Sequence, residues 1–324
     1  MTREITFGEA IREALAEEMR LNDSIFLMGE DIRHGSVTRP LWDEFGDMRV
    51  IDTPIAESGF TGAAVGAAAV GMRPVVCHGR CDFMLYAFDS IANQAAKWRF
   101  QTGYPSQLSM VVRIGTGGYR GSGCHHSQSL EAAFLNIPGI DIAIPSTPYD
   151  AKGLLKTALR GVRPVLFFEH VQLGGVMGAV PPSEYTIPFG EADVKREGED
   201  VTVVATAFMV LKALNVADRL KGDGINVEVL DLRTLIPLDR EAIVSSVEKT
   251  GRLVTVEEGC RRGGLGAEVA AIVAEEANDA LKAPVIRVAN PDAMIPYKAE
   301  NELHILLQEG DIERAIRKAI SAKS

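Results

Sequence analysis

Hydrophobic and polar positions alternate along this chain in two rhythms, and the rhythms take turns. "SIFLMGED", "MRPVVCHGR", "LSMVVRIG", "IDIAIPS" and "RPVLFFEH" are short apolar runs, β-branched in part and closed by Gly, Pro or a polar turn, so each predicts a buried strand. Between them lie helical periods. "MTREITFGEAIREALAEEMRLN" enters an amphipathic helix directly, and "DFMLYAFDSIANQAAKWRFQTG" predicts one long helix closed by Gly103 and Pro105. "TPYDAKGLLKTALRG" predicts a helix with Thr147 as N-cap and Pro148 at its first position. Strands alternating with helices predict an α/β protein with a mainly parallel sheet and helices on both faces.

The rhythm stops between residues 171 and 200, where "VQLGGVMGAVPPSEYTIPFGEADVKREGED" is rich in Gly, Pro and charge. It then resumes through "VTVVATA", "INVEVLDL", "RLVTVEEG" and "PVIRVAN", each followed by a helical period. The expected organisation is a larger domain over residues 1–185, a linker over 186–200 and a smaller α/β domain over 201–324.

A chain of 324 residues can fill two cores, and its 46% hydrophobic content is ordinary for a globular protein. The formal net charge of −10 argues against a nucleic-acid surface, because no basic stripe is present to neutralise phosphates. No run approaches the roughly 20 apolar residues of a membrane span. The beginning has no signal-peptide pattern, so a cytoplasmic location and no membrane partner are expected. Cys77, Cys81, Cys124 and Cys260 are scattered and complete no zinc pattern. They are expected to be reduced structural thiols, with no metal held by this chain.

Candidate chemistry begins with Glu57, in "RVIDTPIAESGFTGAAVGAAAVG". It stands at a strand-to-helix transition before small residues at helical spacing, which let another backbone approach closely. The carboxylate is either a helix-terminal residue satisfied by backbone amides or a buried acid with a chemical task. A Gly-rich loop, "GTGGYRGSG", delivers His125 and His126 just before an expected helix capped by Ser127 or Ser129. Histidine at such a junction suits acid/base work, and it is equally a surface or capping residue. Gly222-Asp223-Gly224 imitates a diphosphate-and-magnesium motif, but it precedes a strand and no Asn follows at the required distance, so a plain turn is expected. "EEGCRRGGLGAEVAA" does not fit a dinucleotide fingerprint and predicts a close-packed helix start.

Taken together, "GED" (29–31), "RVIDTPIAESGFTGAAVGAA", "HSQSLEAAF", "PGIDIAIPSTPYDAKGLL", "RPVLFFE", "VEVLDLRTLIPLD" and "VEEGCRRGGLGAEVAA" resemble, in order and over essentially the whole chain, the β subunit of the thiamine-diphosphate-dependent 2-oxo acid dehydrogenases. This family includes pyruvate, branched-chain and acetoin dehydrogenases. The resemblance implies a transketolase-like fold, with a pyrimidine-binding domain followed by a C-terminal α/β domain. It implies that Glu57 hydrogen-bonds the cofactor's pyrimidine ring and favours its imino tautomer. Phe83 would pack on that ring, Ile55 would line the same pocket and Tyr86 would stand beside it. Glu30 matches an acid in a polar path linking paired active sites. His126 matches a histidine that serves the lipoyl group during reductive acyl transfer. The active site would be shared with an α subunit that holds the diphosphate and Mg2+, usually in a heterotetramer of two α and two β chains, and a lipoyl acyltransferase core would be a further partner.

The sequence departs from the family at "IRHGSVTRPLW" after "GED", at Tyr86 and Ser90, at Tyr119, Arg120, Cys124 and His125, and at "VQLGGVMGAV". These positions leave the substrate open. Other readings are an acetoin dehydrogenase β subunit, a split transketolase-like subunit and a non-catalytic scaffold. Several relatives hold a structural potassium ion, and the matching positions here are Gly161 and Arg163. The Arg163 guanidinium is expected to stand in for that cation.

Overall fold

The computed structural model describes residues 2–103 and 108–322. Its chain forms two compact units, one of Met1–Thr116 with Ala133–Phe189, the other of Gly117–Ala132 with Gly190–Ser324. The Gly-rich loop that carries His126 therefore packs with the second unit.

The first unit holds strands β1 (Arg3–Thr6), β2 (Ile25–Gly29), β3 (Val50–Asp52), β4 (Arg73–His78), β5 (Val111–Thr116), β6 (Asp141–Ala143), β7 (Val165–His170) and β8 (Met177–Val180). β1 pairs antiparallel with β8. The other six run parallel in the order β6-β7-β5-β4-β2-β3. β2 is buried at every position, as a parallel strand covered on both faces must be.

Local chemistry sets the flanking helices. Thr6 and Glu9 close a capping box at the start of Phe7–Leu21, and Thr147 caps Pro148–Arg160 by accepting from the Asp150 N–H at 3.1 Å. These two helices pack together around two buried lysines. Lys152 Nζ reaches Glu17 at 2.6 Å, and Lys156 Nζ reaches the other Glu17 oxygen at 2.7 Å. Burial pulls the Lys156 pKa down, but its bonds to Glu17 and Glu184 outweigh that and hold it above its ordinary value.

Two expectations need correction here. The predicted long helix changes pitch instead, through Cys81–Met84, a 3-10 turn at Leu85–Ala87, a π segment at Ser90–Ala95 and Trp98–Thr102. Within the π segment the Ala96 N–H donates to the Ile91 carbonyl five residues back, the extra residue that marks a π-bulge. Gly103 ends the run in the left-handed conformation, and Pro105 lies outside the described residues. The second correction concerns the carbonyls at the end of Pro148–Arg160. Arg73 fills them, not Arg163: one Nη1 donates to Leu159 and Gly161 at 2.9 Å each. Arg163 instead pairs with Asp141 at 3.2 Å.

The second unit holds β9 (Asp193–Arg196), β10 (Val201–Ala205), β11 (Val227–Asp231), β12 (Thr234–Ile236), β13 (Leu253–Cys260) and β14 (Ile286–Asn290). Five of them form a sheet ordered β14-β13-β10-β11-β9, parallel except for β9. Its core joins Val203, Val229 and Val256 to Val210, Val216 and Ile316 from the flanking helices. Gly222 ends a helix and Gly224 turns the chain into β11 with a φ of 78°, so Gly222-Asp223-Gly224 is a turn. The helix Leu265–Glu276 starts tightly, with the Gly266 N–H donating to Glu257 at 2.9 Å. A Cβ at Gly264 would meet that carboxylate at 2.4 Å, so close packing explains this glycine.

Candidate active site

In the first unit, β2 has β3 on one side and β4 on the other, so the chain reverses its direction of travel across the sheet there. In open α/β sheets, ligands bind outside the carboxyl ends of strands at such a switch point. A cavity of about 260 Å³ opens at these ends, lined by Glu30, Cys77, His78, Gly79, Arg113 and Glu169 among others.

Glu30 follows β2, and one of its oxygens is buried with no hydrogen-bond partner. Burial raises its pKa, and the charges of Glu57 and Asp31 raise it further. The turn beyond it is fixed by the Ile32 N–H, which donates to Asp52 at 2.9 Å. Glu57 is the first residue of the helix Glu57–Ala69 and is 7% exposed. Ala56, before it, makes no side-chain cap, so the acid faces the positive end of the helix without serving as its N-cap. Ile55, two residues before it, is 79% exposed, and on the segment packed against the Glu57 helix Tyr86 is 73% exposed and Phe83 half-buried. The helix behind Glu57 also presents an outward stripe of small residues, Ser58, Gly59, Gly62, Ala63 and Gly66.

Sequence reasoning missed the polar groups that line the cavity. Arg113 holds Glu169 with two bonds, Nε to Oε1 at 2.6 Å and Nη2 to Oε2 at 2.8 Å. Its Nη1 also reaches the Cys77 thiol at 3.6 Å. Burial raises the Cys77 pKa, opposed by that guanidinium. His78 is buried, shares a 3.0 Å bond between Nε2 and Thr61, and has no partner for Nδ1. Burial pushes its pKa down from 6.5 to about 4, so the ring is neutral. An Arg and a Glu inside two strand patterns were the available signal, because charges in fully buried strands need partners.

In the second unit, His126 lies half-buried on the loop, its ring 4.9 Å from that of His125. The expected helix after it is only a 3-10 turn at Glu131–Phe134, and the Ser127 and Ser129 hydroxyls are buried without hydrogen-bond partners instead of capping. Burial raises the Glu131 pKa to about 7, helped by the Glu258 and Glu257 charges. Cys124 and Cys260 are exposed, which corrects their reading as structural thiols, while Cys81 is buried. Among the described residues, no group of three or more His, Cys, Asp or Glu side chains could hold a metal ion.

The family profile "Transketolase, pyrimidine binding domain" matches residues 3–176, and "Transketolase, C-terminal domain" matches residues 190–312. A "2-oxoisovalerate dehydrogenase subunit beta" from Bacillus subtilis is 44% identical, over 97% of this chain and 98% of its own. The chain belongs to the β-subunit family of the thiamine-diphosphate-dependent 2-oxo acid dehydrogenases. Within that family it is 42% identical to a "Pyruvate dehydrogenase E1 component subunit beta" from Gracilaria tenuistipitata, covering 98% of this chain and 99% of that one. It is 41% identical to an "Acetoin:2,6-dichlorophenolindophenol oxidoreductase subunit beta" from Cupriavidus necator, covering 99% and 98%. A solved structure titled "Split gene transketolase, inactive beta4 tetramer" matches with a TM-score of 0.81 at 28% identity, covering 99% of each chain. The transketolase-like fold expected from the motifs is thus present.

For a β-subunit family member, the first unit brings Glu30 and Glu57 close enough for their charges to interact, with Ile55, Phe83 and Tyr86 on the chain segments that lead into and follow the Glu57 helix. His126 belongs to the other unit. No helix among the described residues is long and apolar enough to cross a membrane.

Proposed function

We propose that this chain is the β component of an enzyme that decarboxylates a 2-oxo acid with thiamine diphosphate and passes the acyl group to a lipoyl acceptor. The observation that carries this reading is the buried Glu57 carboxylate heading a helix, with exposed Ile55 just before it and exposed Tyr86 on a turn packed against that helix. A flat aminopyrimidine with a weakly basic ring nitrogen would suit that surface, with Ile55, Phe83 and Tyr86 to cover the ring and Glu57 to meet the nitrogen. Thiamine diphosphate, when bound, supplies the electron sink that lets the carboxylate carbon leave as carbon dioxide.

This chain's own residues do the positioning and the proton work. Glu57, buried at the start of its helix, would meet the ring nitrogen and exchange a proton with it. Glu30, whose pKa is raised by burial and by the nearby Glu57 charge, is assigned to pass a proton along the polar path to Glu57. Phe83, Ile55 and Tyr86 exclude water from the ring. His126 serves the later acyl transfer to the lipoyl sulfur as an acid/base group. The Gly222-Asp223-Gly224 turn offers no diphosphate cradle, so an α subunit is assigned the diphosphate and Mg2+, in an assembly of two α and two β chains that works with a lipoyl acyltransferase core in the cytoplasm.

A split transketolase-like function is the second reading, favoured by the 28% identical split-gene relative. Native mass spectrometry of the protein taken from its own cells separates the two, through the identity of the partner chain. In the purified assembly, Glu57→Gln should lower turnover of a 2-oxo acid by at least about 100-fold while the assembly stays intact, within the usual range for acid/base groups. Unchanged turnover would leave the chain a scaffold and overturn the catalytic reading.

A further inference from the structure

The loop that presents His126 is unusual backbone. Gly117, Tyr119, Gly121 and Gly123 all have positive φ, at 89°, 66°, 65° and 84°. A segment that alternates in this way cannot join a β-ladder along its length, so its amides need partners elsewhere. Two of those partners are acids. The Gly118 N–H donates to Glu258 Oε1 at 2.7 Å, and the Gly121 N–H donates to Glu302 Oε2 at 2.6 Å.

Both acids are buried, Glu302 completely. The other Glu302 oxygen, Oε1, is buried and has no hydrogen-bond partner. That free oxygen lies only 2.9 Å from where a Cβ on Gly118 would stand, so a single carboxylate spans the backbone from Gly118 to Gly121. Gly121 is equally committed, because a Cβ there would meet the Ala299 backbone nitrogen at 2.8 Å. Between the two clamped amides, the Tyr119 hydroxyl donates to the Leu307 carbonyl at 2.7 Å. Lys212 lies 4.0 Å from the centre of the Tyr119 ring and donates to the same carbonyl at 2.6 Å.

Burying a carboxylate costs several kcal/mol unless its interactions are strong. A buried amide or hydroxyl could accept one N–H at lower cost. What a carboxyl adds is two oxygens on one side chain, which can hold, at more than one place, a backbone that is otherwise hard to fix.

We propose that Glu258 and Glu302 are positioning residues, clamping the backbone at Gly118 and Gly121 and so setting where His126 is presented for acyl transfer. This rests on the role given to His126 above.

The test uses the assembled holoenzyme with Glu302→Leu, which removes the acceptor, and Glu302→Gln, which keeps an oxygen. Hydrogen exchange over residues 117–126 should speed up by roughly 10- to 100-fold in the Leu variant, as expected for losing a charged hydrogen bond, and by only about threefold in the Gln variant. Transfer to a lipoyl acceptor should fall about as far in the Leu variant, while decarboxylation read with a dye oxidant stays within roughly threefold, because only the clamp on the His126 loop is lost. Equal exchange in the parent and Leu variant, or equal loss of transfer in the Leu and Gln variants, would overturn the proposal. If Glu302→Leu does not fold, Glu258→Leu is read in the same way against Glu258→Gln, with the same outcomes. If His126→Ala leaves acyl transfer intact, the role of His126 fails, while exchange still decides the clamp.

Discussion

Removing the guanidinium of Arg113 isolates a charge inside the first sheet, and its cost can be worked out from the contacts. Arg113 and Glu169 are joined by two bonds, and their side chains are only 9% and 18% exposed. In Arg113→Met the Glu169 carboxylate loses both donors and stays between strands. Breaking a buried pair on one side costs roughly 3–5 kcal/mol. The adjoining cavity can admit water to the orphaned acid, which places the expected cost near the low end, about 3 kcal/mol. Glu169→Leu strands the guanidinium and should also cost about 3 kcal/mol. The double variant replaces the pair with apolar groups of similar volume and should cost only about 1 kcal/mol, well below the sum of the singles. Urea unfolding followed by tryptophan fluorescence is the assay. Both tryptophans, Trp42 and Trp98, belong to the first unit, so the signal reports that unit even if the two unfold separately. A single variant that loses under about 1 kcal/mol, or a double variant that loses as much as the singles combined, would refute the reasoning.

Two further outcomes are expected. The His78 ring stays neutral in the fold down to about pH 4, whereas the unfolded chain takes up a proton near 6.5. Its contribution is therefore full above 6.5 and falls between 6.5 and 4, by up to about 1.4 kcal/mol per pH unit. Urea midpoints measured across that window should show this slope, His78→Phe should flatten it, and identical slopes in both proteins would count against it. Since Arg73 occupies the Leu159 and Gly161 carbonyls, exchanging sodium for potassium should leave the melting temperature unchanged. A rise specific to potassium would show that a cation site coexists with the guanidinium.

What could be read along the chain was whatever a few neighbouring residues decide. Thr147 and Pro148 start a helix where expected, because capping needs only the next turn. The Gly222-Asp223-Gly224 turn and the buried parallel strands are likewise local facts. The segment after β4 departs from the expected single helix because the bonding shifts to i−5 at Ala96, a choice that the spacing of apolar and polar residues does not encode. The site divides in the same way. Glu57 announced itself as a lone acid in an apolar run, but its effect on Glu30 joins residues on separate elements. Arg113 and Glu169 lie 56 positions apart, and the loop amides find their acids 140 and 181 positions away. The Gly-rich stretch showed that the loop would bend, and nothing nearby showed what would hold it.

The outward glycines of the helix Glu57–Ala69 bear on how variants of this protein should be screened. Glycine inside a helix is less stable than alanine by roughly 1 kcal/mol. Within this chain, however, a methyl group at Gly66 would meet nothing within 4 Å, and at Gly59 or Gly62 it would touch one atom at 3.6 Å. A mutational scan scored on the solubility or melting temperature of the free chain should rank alanine at these positions as neutral or improving. A scan scored on growth, or on recovery of the complete complex, should rank the same substitutions as harmful wherever a neighbouring chain lies against the stripe. The disagreement between the two scans would trace the outline of that contact one position at a time.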